Sequence, residues 1–162
     1  MKKETAIFAA GCFWGVEELI RKIDGIIETQ VGYCGDDANS ALYTKVKTGE
    51  TKHAEAVQVI FDSDKITYEQ ILEHFFKLHD PTTLNQQGND VGSQYRSAIF
   101  YLNDAQKNSA EKIKANVENS KKWKKTIVTA IVPATEFFNA EDYHQDYLQK
   151  NPNGYTCHYW RE

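Results

Sequence analysis

Cys12 sits in the run Gly11-Cys12-Phe13-Trp14-Gly15, the stretch of this chain whose residue types point most directly to chemistry. A strand-like segment, Thr5 to Ala10, leads into it, and a helix-like segment, Val16 to Ile23, leads out. A cysteine at the first turn of a helix meets unpaired backbone N–H groups and the positive end of the helix dipole, both of which favour a thiolate. The thiolate is the nucleophilic form, so the position points to sulfur chemistry. Phe13 and Trp14 would give that sulfur an apolar wall. Packing is the commonest role of a free cysteine, but a structural cysteine needs no glycine on either side. Glycine costs stability inside a regular element, and close backbone approach at a site would explain both.

The elements that must position this residue follow from periodicity. Ile26 to Tyr33 reads as a second strand, followed by a polar loop from Gly35 to about Ser40. Glu55 to Asp62 alternates clearly and predicts a strand. Thr67 and Gln70 have capping-box spacing and open a helix whose apolar face, Ile71, Leu72, Phe75, Phe76 and Leu78, runs to His79. Pro81 ends it. Residues 83–94 are polar and read as a functional loop. Ser97 to Leu102 predicts a strand, and Asn103 or Asp104 caps a helix to about Lys122. Thr126 to Val132 predicts a strand stopped by Pro133, Ala140 to Lys150 a last short helix, and the tail from Asn151 an irregular segment. The first six elements, β-α-β-β-α-β, match a split βαβ pattern with helices on one face of an antiparallel-rich sheet.

The 162 residues suit one domain, 1–162, with a substantial core. Apolar content of 41% and charged content of 26% are ordinary for a globular protein. A formal charge of −4 argues against nucleic acid as a partner. The one dense cationic run, Lys121 to Lys125, reads as the solvated end of a helix. No stretch is long and apolar enough to span a membrane, and the N-terminal run is too short for a signal peptide, so a cytoplasmic location is expected. Three cysteines do not make a disulfide scaffold; in a reducing compartment, those that pair are usually redox-active. His53, His74, His79, His144 and His158 are scattered without ligand spacing, so no metal is expected.

Several segments resemble the A-type peptide methionine sulfoxide reductases. They are Gly11-Cys12-Phe13-Trp14-Gly15-Val16-Glu17, His53-Ala54-Glu55-Ala56-Val57, His79-Asp80-Pro81-Thr82, Gln87-Gly88-Asn89-Asp90, Gln94-Tyr95-Arg96-Ser97 and Asn151-Pro152-Asn153-Gly154-Tyr155, all in family order. The resemblance spans nearly the whole chain. It implies an α/β (α+β) two-layer sandwich with a split βαβ, ferredoxin-like core, a mixed sheet and a flexible C-terminal tail. It also implies reduction of the S epimer of methionine sulfoxide, free or in oxidised proteins, to methionine.

A sulfoxide is a poor electrophile until its oxygen is hydrogen-bonded or protonated, so the site needs a nucleophile, a proton donor and oxygen-side donors. By resemblance Cys12 is the nucleophile that becomes a sulfenic acid, and Glu55 is the acid, which must be buried to hold its proton at neutral pH. Tyr43 and Tyr95 match the tyrosines that hydrogen-bond the sulfoxide oxygen. Phe13 and Trp14 match the pocket for the S-methyl group, while both rings also read as core, Phe13 more than Trp14. Asp90 matches a residue that positions substrate or water, and reads equally as a loop-capping aspartate. One branch of the family makes Cys157 the resolving cysteine, whose disulfide with Cys12 an external thiol reductant, thioredoxin or dithiothreitol, would reduce. Cys34 is the alternative resolver. No bound cofactor is implied, and the chain is expected to act as a monomer. Asp36, Ala41-Leu42 and Lys52 depart from the family pattern, all on the loop that carries Tyr43. The rival readings are a thiol peroxidase using Cys12 and Cys157, and a redox-sensing binding protein switched by their disulfide.

Overall fold

A computed structural model describes residues 1–162. Its elements run β1 (Lys3–Ala10), α1 (Phe13–Ile20), β2 (Ile26–Cys34), α2 (Tyr43–Val46), β3 (Ala54–Asp62), α3 (Tyr68–Leu78), β4 (Gln86–Gln87), β5 (Asp90–Val91), β6 (Ser97–Tyr101), α4 (Asp104–Asn119), β7 (Ala130–Pro133), β8 (Phe138–Asn139) and α5 (Tyr147–Lys150). Six strands form one mixed sheet in the order β7-β6-β1-β3-β2-β8, and β4 and β5 form a separate small hairpin. The central β6-β1-β3-β2 quartet is antiparallel throughout. Each of the units β1-α1-β2 and β3-α3-β6 is thus a βαβ unit split by a strand of the other, as the alternation of elements predicts. Helix α4 adds β7 parallel to β6, and β8 closes the other edge antiparallel to β2.

Alternation along the strands decides what lies on each side. One face presents Ala6, Phe8, Val31, Tyr33, Val57 and Phe61 to the helices. There they meet Phe13, Val16 and Ile20 of α1, Ile71, Leu72 and Phe75 of α3, and Ala110 and Ile113 of α4, forming the main core. The opposite face carries Ile7 and Phe100 among small side chains, Ala9, Cys34, Ala54, Ala56 and Ala98, and is covered by the β7–β8 connection through Ala134 and Phe137. Cys34 therefore lies on the sheet face away from the helices, one residue out of phase with Tyr33.

The capping box on α3 is present, with the Thr67 side chain accepting from the Gln70 amide and the Gln70 side chain accepting from the Thr67 amide. Asn103 likewise caps α4. Three boundaries differ from the periodicity. Helix α1 starts at Phe13, so both rings of the Cys12 run are helical. The strand expected from Thr126 forms only from Ala130. Its earlier half is drawn away by Glu118 Oε1, which accepts from the Ile127 amide at 3.1 Å, and by Pro81 O, which accepts from the Val128 amide at 2.8 Å. The expected 140–150 helix breaks into a turn at Asp142–His144 and α5, because Asp146 adopts a left-handed φ of 54°. Its backbone N–H donates to Glu17 Oε1 (3.0 Å) and its carboxylate takes Arg21, which fixes that bend on α1. Just before it, the Gln145 amide brackets Val31, accepting from its N–H at 2.9 Å and donating to its carbonyl at 2.8 Å. No helix is long and apolar enough to cross a membrane.

Candidate active site

Strand β1 delivers Cys12 to the start of α1, where it is the N-cap residue. Its side chain is 8% exposed. Burial pushes the thiol well above the ordinary cysteine value, the charge of Glu55 adds to that, and the Trp14 N–H aimed at the sulfur only partly offsets both. The helix start is where the sequence places it, but the expectation that this position alone favours a thiolate is corrected. Burial outweighs the Trp14 amide.

Glu55 follows from strand phase. It shares the helix-facing side of β3 with Val57, Val59 and Phe61, and is 2% exposed. Its Oε1 accepts from the Phe13 N–H at 3.2 Å, which ties the carboxyl to the first turn of α1. Burial pushes its pKa up to about 8, with the charge of Asp90 adding to it, against the Phe13 hydrogen bond. The carboxyl therefore carries its proton at neutral pH. Tyr43, on α2, and Tyr95, in a turn after β5, complete the group. Both phenols are raised by burial, and both feel the charges of Glu55, Asp90 and Cys12. Asp90, on β5, is itself raised by burial and accepts a hydrogen bond from Tyr155 Oη at 3.1 Å. Five sequence-predicted residues, Cys12, Glu55, Tyr43, Tyr95 and Asp90, are thus brought together.

The two rings after Cys12 separate in role. Phe13 is buried in the main core against Tyr33. Trp14 is half-buried, stacks on Tyr147 with ring centroids 3.8 Å apart, and donates from Nε1 to His144 Nδ1 at 3.0 Å. His144 also lies against Phe13 and Tyr43, at centroid distances of 5.2 and 4.4 Å. Sequence reasoning missed His144, Tyr147 and Glu141. Glu141 holds two site elements at once, accepting from Tyr33 Oη (2.8 Å) and from the Tyr43 N–H (3.0 Å). The cue was present as acids, a histidine and two tyrosines within Ala140 to Tyr147, but the expected short helix hid it.

The loop that carries Tyr43 is held despite its departures from the family pattern, and two of them bond to each other: Asp36 Oδ2 accepts from the Lys52 N–H at 2.8 Å. His53 Nε2 lies 2.8 Å from Asp37 O, and Arg96 donates to Lys52 O at 3.0 Å.

The C-terminal segment is irregular, as expected, but docked. His158 Nε2 lies 2.7 Å from Ala10 O, Arg161 N–H donates to Lys77 O at 2.8 Å, and the Trp160 ring meets His74. The glycines around Cys12 admit these contacts. A Cβ on Gly11 would lie 2.8 Å from the Gln87 side chain, and one on Gly15 would occupy the place of the His158 ring and Thr156 Oγ1. Cys157 is half-buried beside the β4–β5 hairpin, its Sγ 3.9 Å from Gln87 O, and it lies close enough to influence Cys12 electrostatically. Cys34 is fully buried on the other sheet face, with its sulfur 3.6 Å from Thr135 O. All three cysteines are free thiols. No group of three or more His, Cys, Asp or Glu side chains is placed to hold a metal. A surface groove of about 610 Å³ between the end of α1 and α3 includes none of these site residues.

A family model described as "Peptide methionine sulfoxide reductase" matches residues 4–162. The chain belongs to the peptide methionine sulfoxide reductase family. It is therefore an oxidoreductase acting on methionine sulfoxide. It is 51% identical over 158 residues to the peptide methionine sulfoxide reductase MsrA of Pseudomonas fluorescens, covering 98% of this chain and 74% of that one. Its identity to the MsrA of Mycolicibacterium paratuberculosis is 54%, with 98% and 90% covered. Among solved structures of the reductase family, the reduced form of Mxr1 from Saccharomyces cerevisiae superposes with a TM-score of 0.94 at 41% identity, covering 99% of this chain and 93% of that one. Mxr1 in complex with Trx2 gives a TM-score of 0.69 at 30% identity, covering 99% and 91%. These relatives support the α+β fold expected from the element order.

Proposed function

We propose that this chain, as a single domain, reduces the S epimer of methionine sulfoxide, free and in oxidised proteins. The route runs through a Cys12 sulfenic acid and a Cys12–Cys157 disulfide that a thioredoxin-type dithiol reopens. The observation that carries this reading is Glu55, a buried carboxyl tied to the Phe13 N–H beside a cysteine and two phenols, where burial raises its pKa.

The sulfoxide oxygen accepts from the Glu55 carboxyl and from Tyr43 and Tyr95, which makes the sulfoxide sulfur electrophilic. The substrate methyl rests against Trp14 and the edge of Phe13. With oxygen and methyl fixed on different sides of the sulfur, only one epimer presents its sulfur to Cys12. The Cys12 sulfur attacks, oxygen is transferred, methionine leaves, and Cys12 is oxidised to Cys–SOH. The thiol proton lost by Cys12 balances the one Glu55 gives to oxygen. Part of what raises the Cys12 thiol is the Glu55 charge, so a protonated Glu55 also eases ionisation of the nucleophile. Asp90, held by Tyr155, orients substrate at the mouth of the site.

Cys157 then attacks the sulfenic sulfur. Sheet topology supports Cys157 over Cys34, which would have to cross the sheet from its buried place at Thr135. The complex of the yeast relative with Trx2 supports a thioredoxin as the reductant. We place the enzyme in the cytoplasm as a monomer.

The test is a single turnover with one equivalent of each pure epimer, followed by a non-reducing peptide map. The expected result is one methionine released from the S epimer and a Cys12–Cys157 peptide. Equal turnover of the R epimer, a Cys12–Cys34 peptide, or a preference for hydrogen peroxide over sulfoxide would overturn it.

A further inference from the structure

We propose that His158 is the general base for Cys157, its Nδ1 taking the thiol proton as the Cys157 sulfur attacks the Cys12 sulfenic acid. The inference rests on the reading of Cys157 as the resolving cysteine. His158 Nε2 lies 2.7 Å from the carbonyl oxygen of Ala10. A carbonyl only accepts, so Nε2 carries the ring hydrogen and Nδ1 is left with a lone pair. That lone pair lies 3.8 Å from Cys157 Sγ, within reach of a hydrogen bond from sulfur. The thiol has one other backbone acceptor in reach, Gln87 O at 3.9 Å. A peptide carbonyl can orient the thiol but cannot take its proton.

The ring is also registered to the reacting partner. Ala10 is two residues before Cys12, and the ring fits where Gly11 and Gly15 lack side chains. Thr156 Oγ1 accepts from the His158 N–H at 3.1 Å and holds the backbone there. The base is therefore fixed by the same turn of chain that presents the sulfenic acid, and the residue it deprotonates is its own neighbour.

Burial, together with the charge of Arg161, pushes His158 down to about 4, against its hydrogen bond to Ala10, and burial pushes the Cys157 thiol up. The resting pair is thus neutral thiol and neutral imidazole, and the proton moves only as the new bond forms. The nearby Tyr155 hydroxyl and the charge of Arg161 favour the Cys157 thiolate, and the charge of Asp90 opposes it. His79, close enough to feel a charge on His158, is itself kept neutral by burial. In the balanced step Cys12–SOH and Cys157–SH give Cys12–S–S–Cys157 and water. The S–S bond forms, the Cys12 S–O bond breaks, the Cys12 sulfur is reduced and the Cys157 sulfur oxidised. The proton taken by His158 leaves with the hydroxide as water.

His158→Gln tests this, because its amide N–H can still donate to Ala10 O but offers no base. Methionine release and thiol loss are followed by rapid quench with a thiol-alkylating reagent, from pH 6 to 9. In the variant, disulfide formation is expected to fall about 100-fold at pH 7 relative to methionine release, and to rise about tenfold per pH unit as solvent ionises the thiol. The wild type should give a flatter profile. A variant disulfide rate equal to wild type, or lowered by the same factor at every pH, overturns the proposal. Should the variant also lose methionine release, His158→Ala decides: added imidazole restores the disulfide step if the ring is a base, and failure to restore it overturns the idea. Absence of a Cys12–Cys157 disulfide in the wild type itself would instead bring down the resolving-cysteine reading on which this one stands.

Discussion

Glu55 links stability and chemistry through one proton. Its pKa is raised by burial to about 8 from an ordinary value of 4.5, so the folded protein holds the proton more tightly than the unfolded chain. The resulting stability is complete below about pH 4.5 and is lost as pH rises through about 8. Glu55→Gln keeps an acceptor for the Phe13 N–H without the charge. Its advantage over wild type in denaturant melts should grow between pH 6 and pH 9 to a few kcal/mol, at most about 5. In the wild type, the methionine-release step should slow as pH passes about 8, where the acid loses its proton, while Glu55→Gln should be nearly inactive at every pH. Sequence alone makes Glu55 a candidate only through the His53-Ala54-Glu55 match. Its burial becomes legible once strand phase puts it on the side of Val57 and Val59. Glu141 and His144 were not legible, because their partners, Tyr33, Tyr43 and Trp14, lie about 100 residues or more away in sequence.

At the scale of elements, α1 carries a conflict between local and tertiary preference. Gly15 lies inside the helix, where alanine would add about 1 kcal/mol of helix stability. The His158 ring and Thr156 hydroxyl occupy the space a Cβ would need. Gly15→Ala should therefore loosen the segment around 156–158 rather than stabilise the protein. Faster amide exchange there and a slower disulfide step would show it; unchanged exchange with a higher Tm would show that the tail can yield. The paired glycines were legible as a demand for close approach, but a single sequence does not say what approaches. The occupant proved to be Gln87 on one side and the far end of the chain on the other. Strand β7 was read too long for a related reason: Thr126 to Thr129 alternate well enough, but Glu118 and Pro81 compete for their amides.

At the scale of the whole molecule, the sheet divides the thiols. Cys12 and Cys157 lie on the helix side and Cys34 on the other, so Cys34→Ala should leave thioredoxin-coupled turnover intact. Its cost is a small cavity, about 1–2 kcal/mol. Cys157→Ser should release one methionine per enzyme and stop; sustained cycling in that variant would identify another route back to the thiol. The split βαβ order was legible from six elements in sequence, and the face assignment of Cys34 was implicit in its phase with Tyr33. What closes the sheet was not legible, because β8 is two residues long.

That closure bears on colloidal behaviour. The Gln145 side chain, bonded to both backbone groups of Val31, imitates a neighbouring strand where β8 runs out, and the exposed Glu28 charges the part of the β2 edge beyond it. An open strand edge templates aggregation. An enzyme proposed to repair oxidised proteins works among loosened chains seeking such an edge, and this side-chain amide denies them one.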